Sequence, residues 1–295
     1  MIIGGNKERV IANIRQAAES RDYHAKVEVD DPQLTAEQRS ALVEKYLRRR
    51  SSAAYHIKNR AARTIVDAVT RSQNRSTEIV GLENIRGITG GAIITSNHFD
   101  PLDNTVIRTL AKRTGRKRLY VVSQETNLAM TGLIGFLMNY TDIIPISPSA
   151  KYMQDSFPGI LKSLLDNGQF VLIYPEQDMW FRYRKPRPPK RGAYYYAAKL
   201  GVPVISCFVE MRDEERMDNE AFHKVKNILH VLPVVAPDLN KSARENSIQM
   251  MEQDYKQKKE AYEAAYGEKL SYAFQDSDIA GWIPHSCNTS AEKKG

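Results

Sequence analysis

Ala92-Ile93-Ile94-Thr95-Ser96-Asn97-His98-Phe99-Asp100-Pro101-Leu102-Asp103 passes from a short apolar run through a polar cluster to a proline and a carboxylate. The four apolar or β-branched residues before Ser96 read as a buried strand. Pro101 falls near the start of a helix, where a fixed φ and a missing N–H cost nothing. Strand, polar loop and helix form the unit of open α/β sheets, whose ligand sites lie beyond the carboxyl ends of the strands. The pattern recurs on the C-terminal side: runs at 119–122, 143–146, 170–174, 202–209 and 228–235 read as strands. Residues 101–113, 154–166 and 192–200 read as helices between them. This alternation predicts an α/β fold with a mostly parallel central sheet flanked by helices.

Around that core the texture is helical and charged. Ile11, Ile14, Ala17 and Ala18 fall near helical spacing, as do Leu42, Val43, Tyr46 and Leu47 beyond Asp31-Pro32. The expected organisation is an N-terminal helical arm over 1–73, a main domain over 74–240, a C-terminal helical segment over 241–283 and a disordered tail over 284–295. Arg48, Arg49, Arg50, Lys58, Arg60 and Arg63 surround Tyr55 and Ile57 in the arm. That makes it a candidate contact with an anionic membrane surface, although a solvated helix packed on the main domain accounts for the same pattern.

Composition narrows the class. With 295 residues, 42% hydrophobic and 26% charged, the chain can bury a sizeable core and is neither fibrous nor dominated by low-complexity sequence. The longest stretch without a formal charge, 126–141, contains Asn127, Thr131 and Asn139 and is too short and polar to span a bilayer. No basic region leads into an apolar signal segment near Met1, and Cys207 and Cys287 are expected to be reduced, so a cytoplasmic location is expected. Forty-three basic against thirty-five acidic residues leave a formal charge of +8, which favours anionic partners without choosing among nucleic acid, phospholipid headgroups and an acidic carrier protein.

His98 and Asp103 are the strongest chemical candidates. On one ideal helix five residues turn about 500°, so the two would not share a face. With His98 in the loop and Asp103 in the first helical turn, however, the carboxylate can fold back onto the imidazole. It would then fix the tautomer and stabilise the imidazolium formed when His98 takes a proton from a substrate hydroxyl. The bare spacing arises readily by chance, and a loop histidine beside a helix-capping aspartate explains it equally well. No compact group of further His or Cys ligands accompanies the pair, so no metal is expected.

A second cluster begins where the strand at 170–174 ends in Pro175-Glu176. Beyond it, Arg182, Arg184, Lys185, Arg187, Lys190 and Arg191 crowd a proline-rich loop beside Trp180, Phe181 and Tyr183. Such a loop suits phosphate, a nucleic-acid surface or a membrane interface. Met130, Leu133, Ile134, Phe136, Leu137 and Met138 fit either an acyl-chain groove or a buried helix face. Gly87, Gly90 and Gly91 precede a strand and read as a turn, not a phosphate loop. No G-x-S-x-G nucleophile elbow is present.

Taken together, four blocks resemble the glycerolipid acyltransferase family that includes 1-acylglycerol-3-phosphate acyltransferases. Ser96-Asn97-His98 through Asp103 is similar to its block of histidine, four residues and aspartate. Gly132-Leu133-Ile134-Gly135 with Ile143-Ile144-Pro145-Ile146 resembles the second block, Tyr174-Pro175-Glu176 with Lys190-Arg191-Gly192-Ala193 the third, and Gly201-Val202-Pro203-Val204-Ile205 the fourth. The order and spacing agree over roughly 78–210, with Val80-Gly81-Leu82-Glu83-Asn84-Ile85 as the lead-in.

The resemblance implies that His98 is a general base oriented by Asp103, and that a lysolipid hydroxyl attacks a fatty-acyl thioester carried by coenzyme A or acyl-carrier protein. No further cofactor is implied. Asn97, Glu176, Arg182, Arg184, Lys190, Arg191 and Gly192 are the implied acceptor-binding residues. The expected product is phosphatidic acid from 1-acyl-sn-glycerol-3-phosphate, at the inner face of the cell membrane. Two departures bear on the acceptor: Gln177-Asp178-Met179 stands where the family commonly has Gly-Thr-Arg, and Ser147 follows Ile146 where an arginine is common. A glycolipid or another lysophospholipid is therefore the alternative acceptor, and a basic nucleic-acid-binding module the alternative of a different class, with no nucleic acid expected on the main reading.

Overall fold

A computed structural model describes residues 6–29 and 32–284. The tail, with His285 and Cys287, lies almost wholly outside those residues. At the centre is a seven-stranded sheet built from β1 (Glu78–Val80), β2 (Ala92–Thr95), β3 (Leu119–Ser123), β4 (Ile143–Pro145), β5 (Phe170–Leu172), β6 (Val204–Asn219) and β7 (Phe222–Val231), in the order β1-β7-β6-β2-β5-β3-β4. β2 pairs in parallel with β5 and β6, and β3 in parallel with β5 and β4. β7 runs antiparallel to β6, with β1 parallel to β7 at the edge. The mostly parallel sheet expected from the alternation is thus present.

Parallel strands covered on both faces must be apolar on both, and β2, β4 and β5 are buried at every residue. Alternate residues feed opposite layers. Ala92 and Ile94 join Val106, Ile107 and Leu110 of α4 (Asn104–Arg113) on one side. Ile93 joins Phe157 and Leu161 of α6 (Phe157–Asp166) and Ala197 of α7 (Gly192–Leu200) on the other. Between α4 and α6 in sequence, α5 (Gly132–Tyr140) packs so closely on the preceding turn that a Cβ at Gly135 would lie 1.9 Å from the Met130 carbonyl oxygen.

The N-terminal helices are not held off the domain. In α1 (Lys7–Glu19), Val10, Ile11 and Ile14 are buried in a cluster with Trp180, Phe181, Tyr183 and Phe222. α2 (Ala36–Arg50) starts with a reciprocal Thr35–Gln38 capping box and sends Tyr46 into the core, where its hydroxyl donates to the Ile143 carbonyl at 2.7 Å. α3 (Ala53–Gln73) buries Tyr55, Asn59 and Ala62, and the Asn59 amide donates to the Tyr140 carbonyl at 2.6 Å. Removing residues 1–60 would therefore strip three hydrophobic clusters as well as any membrane contact.

Two further differences from the sequence expectation have physical causes. β6 continues well past residue 209, because Met211 to Asn219 form an antiparallel ribbon with β7 whose outward face carries charge instead of an apolar stripe. α8 (Ala243–Tyr266) is anchored by a second capping box, Ser242 with Glu245. From it the buried Asp254 accepts from the Thr95 hydroxyl at 2.8 Å, from the Tyr194 hydroxyl and from Lys258 at 2.7 Å. That network ties the last residue of β2 to two helices, so the loop beyond it starts from a fixed point.

Candidate active site

β2, β5, β3 and β4 all end at the same edge of the sheet, and a cavity of about 540 Å³ runs along that edge. Its lining includes His98, Pro101 and Asp103 from the loop after β2, with Tyr174, Pro175, Gln177 and Asp178 from the loop after β5. The lining includes Lys190 and Gly192 at the start of α7, and Glu28 from the segment between α1 and α2. The lining also holds apolar side chains, Val121, Met130, Met138, Ile143, Met153 and Phe157 among them.

Asp103 occupies the position before α4 but makes no capping bond to that helix. Its carboxylate turns back into the loop instead. One oxygen, Oδ2, lies 2.7 Å from His98 Nδ1 and accepts from the backbone N–H of Phe99 at 3.0 Å; Asp100 N is 3.4 Å away. The other, Oδ1, accepts from the Tyr174 hydroxyl, whose ring lies flat on the His98 ring with centroids 3.9 Å apart and planes 11° apart. The carboxylate side chain is 2% exposed and the imidazole 22%. Asp103 thus acts on His98 and does not merely satisfy a helix end. With Nδ1–H donating to the carboxylate, Nε2 is left as the basic nitrogen of a ring that lines the cavity.

Tyr174 is a site residue that spacing alone did not single out. Burial first, and then the negative charge of Asp103, push its hydroxyl far above the usual tyrosine range, so it remains a donor. The only signal in the sequence was its place directly before Pro175-Glu176.

The residues expected to bind an acceptor separate into two groups. Lys190 and Gly192 reach the cavity lining. Asn97 is buried and uses both ends of its amide on β6, accepting from Val209 N at 2.8 Å and donating to Val209 O at 3.0 Å. Glu176 is likewise buried: it accepts from His98 N at 3.3 Å, from Arg187 N at 2.9 Å and from the Arg187 guanidinium at 3.1 Å. It clamps the two loops together and is not itself among the residues lining the cavity. Arg182 pairs with Asp218 at 3.1 Å, Arg184 pairs with Asp213, and Arg191 is exposed ahead of α7. Those three are outside the lining because acidic partners on the β6–β7 ribbon and the turn into α7 take them elsewhere.

Just beyond Glu176, Gln177 has φ of 69°, a left-handed conformation in which the chain reverses sharply. Over it lies the strap between α1 and α2. Ala25 O accepts from the Trp180 indole at 3.0 Å, Tyr23 O accepts from Arg187 at 2.9 Å, and Val27 is buried. This strap carries Glu28 to the cavity.

Residues 76–210 match the model of the acyltransferase family. Over 131 residues the chain is 28% identical to the 1-acyl-sn-glycerol-3-phosphate acyltransferase BAT2, chloroplastic, of Brassica napus, covering 44% of this chain and 36% of that protein. The aligned region therefore spans about a third of the plant relative's length. Among solved structures, the 1-acyl-sn-glycerophosphate (LPA) acyltransferase PlsC of Thermotoga maritima aligns over 90% of this chain and 98% of that one, with 14% identity and a TM-score of 0.49.

Proposed function

We propose that the acyltransferase-family domain of residues 76–210 moves a fatty-acyl group from a thioester to the hydroxyl of a lysolipid, with His98 as general base and Asp103 as its positioning partner. One observation carries this reading: a histidine held at 2.7 Å by a buried carboxylate, in the lining of a cavity that also exposes a set of apolar side chains. The apolar side chains suit an acyl chain, and the polar ones suit the groups that react.

In the proposed reaction, His98 Nε2 takes the proton as the hydroxyl oxygen attacks the thioester carbonyl carbon. Asp103 stabilises the imidazolium that results. Collapse of the tetrahedral intermediate breaks the carbon–sulfur bond, and the imidazolium returns the proton to the departing thiolate. The products are an ester and a free thiol. Tyr174 and the Phe99 N–H keep the carboxylate aimed, so the pair is ordered before substrate arrives.

The proposed thioester carrier is coenzyme A or acyl-carrier protein. Contact with a membrane is proposed through Ile57 and Leu133, 73% and 62% exposed, with Arg48, Lys58 and Arg60 nearby in sequence to Ile57. Among the described residues no helix is long and apolar enough to cross a membrane. Purified protein should release thiol from an acyl thioester only when lysolipid is present, and His98→Ala should abolish that release. Turnover by the variant at the parent rate would remove His98 from the chemistry.

A further inference from the structure

Residues 45–63 carry seven cations and no acid. Three of those cations gather at a second cavity, of about 330 Å³, between α2 and α5. Lys45 and Arg49 of α2 are in its lining. So is Tyr140, whose ring centroid is 4.9 Å from the Arg49 guanidinium and 5.5 Å from Lys58 Nζ. Gly132 brings the amino end of α5 into the same lining, with no side-chain cap on that end. Such an end adds roughly half a positive charge and N–H groups that suit an anion. Leu42, Leu128, Met130 and Phe136 make much of the remainder apolar, and no Asp or Glu is among the described lining residues.

The acids around this corner are engaged elsewhere. Asp142, whose charge reaches Tyr46 and Tyr55, is held by Arg63 at 3.6 Å, by Arg118 at 3.8 Å and by the Asn59 amide at 3.0 Å. Glu125, in the same turn as Leu128, is buried against Arg39. Glu44 is exposed and outside the lining. Arg49 donates to the neutral side chain of Asn139, and its Nε has no hydrogen-bond partner. Lys45 is exposed, and among the described residues neither cation is in an ion pair. The cavity therefore keeps a positive charge beside an apolar wall.

A guanidinium and an ammonium together match the oxygens of a phosphate, and the apolar wall matches glycerol carbons and the first methylenes of an acyl chain. Leu133, next to Gly132, is 62% exposed, and Ile57, next to Lys58, is 73% exposed. Apolar side chains that would enter the acyl region thus stand beside cations that would meet the headgroups. We propose that the cavity between α2 and α5 binds the phosphodiester head of an anionic membrane phospholipid. Met130 lines both this cavity and the larger one, so a head bound here brings the larger cavity to the lipid surface. The inference rests on the proposed membrane contact and gives it a defined site; it does not need the acyl-transfer reading.

The test uses the full chain and calorimetry with dihexanoyl-phosphatidylglycerol below its micelle concentration, dihexanoyl-phosphatidylcholine, inorganic phosphate and coenzyme A. Expected is binding of the phosphatidylglycerol at least about tenfold tighter than of the phosphatidylcholine or of inorganic phosphate. Lys45→Gln/Arg49→Gln should weaken it by about tenfold or more. Arg113→Gln/Lys117→Gln removes the same charge between the end of α4 and the start of β3, at the opposite edge of the sheet, and should leave binding within about twofold. Because Arg49 also holds Asn139, Lys45→Glu is the second variant: it should keep the unfolding midpoint of the parent and still lose binding several-fold. Phosphatidylglycerol bound no tighter than the other two, equal losses in the control pair, or binding that both Lys45 variants leave unchanged overturns the assignment. Coenzyme A bound with an affinity that Lys45→Gln/Arg49→Gln lowers overturns it too, by making the cavity a thioester-carrier site. Sedimentation with phosphatidylcholine vesicles, with and without phosphatidylglycerol, is scored separately. Binding of the monomeric lipid without sedimentation upholds the cavity and sinks the membrane contact. Sedimentation that the Lys45 and Arg49 variants leave unchanged sinks the cavity and lets the contact stand.

Discussion

The loops after β2 and β5 leave adjacent parallel strands at the same edge of the sheet, yet they treat their charged residues in opposite ways. After β2, a carboxylate at the capping position of α4 is turned inward to His98. After β5, Arg182, Arg184 and Lys185 are neutralised by acids brought from far along the chain, Asp218, Asp213 and Asp278, and Arg187 by the nearby Glu176. The first loop turns its charged pair, Asp103 and His98, on each other and leaves the imidazole at the cavity. The second spends them on holding the fold. A short-range pattern can define a site by its own hydrogen bonds, whereas a charge cluster has no fixed meaning until its partners are known.

The contrast is tested most severely at its two extremes. His98→Ala should lower turnover by about 10²–10⁴-fold, the usual contribution of a positioned base, while the midpoint of denaturant unfolding stays near that of the parent. Arg187→Ala should do the opposite kind of damage. Its guanidinium is 0% exposed and its partner carboxylate 4%, so removing it leaves Glu176 buried and unpaired, at a cost of about 3–5 kcal/mol in urea unfolding. Arg184→Ala, whose partner is 45% exposed, should cost under about 1 kcal/mol and leave acceptor KM unchanged. If Arg187→Ala unfolds like the parent but loses acceptor affinity, the loop after β5 is a binding element after all and the contrast fails.

A smaller effect sharpens the account of the first loop. Tyr174→Phe keeps the ring that stacks on His98 and removes only the hydroxyl that donates to Asp103. Losing one hydrogen bond to a charged group should reduce kcat by about tenfold with little change in KM, because the carboxylate is still held by His98 and the Phe99 N–H. A change confined to KM would mean that Tyr174 touches substrate instead of aiming the dyad.

How much of this the sequence disclosed follows the same division. The strand at Ala92–Thr95 and the helix at Gly192–Leu200 were readable to the residue, because a buried apolar run and a glycine closing a helix are local signals. So was the His98–Asp103 pair, although the spacing could not tell a dyad from a capped helix until the carboxylate's direction was known. The outer half of β6 was not legible, since a solvent-facing ribbon needs no apolar pattern. Asn97 and Glu176 sit within the family-like blocks but serve the backbone of β6 and the buried Arg187. Glu28 lay in a segment with no motif at all, and only the path of the strap brings it to the cavity.

That strap also offers the mildest test, because it joins the two loops under comparison. His24 lies on it, and burial, followed by the positive charge of Lys190, lowers its pKa below the ordinary 6.5; a hydrogen bond to the Glu176 carbonyl works against that shift without cancelling it. Its Nδ1 is buried with no hydrogen-bond partner, so a second proton would have nothing to bond to. The folded strap therefore prefers neutral His24. Its contribution is complete above about pH 6.5 and declines as the pH falls from there toward the lowered native value, since the unfolded segment then binds the proton more readily. Hydrogen exchange of the amides at 22–29 should accelerate at pH 5.5 relative to pH 7.5, after correction for intrinsic rates. His24→Gln, which cannot titrate there but can still donate to the Glu176 carbonyl, should flatten that response. An equal acceleration in the variant would show that the strap loosens in acid for another reason, and that His24 does not couple the loop after β5 to the path that brings Glu28 to the cavity.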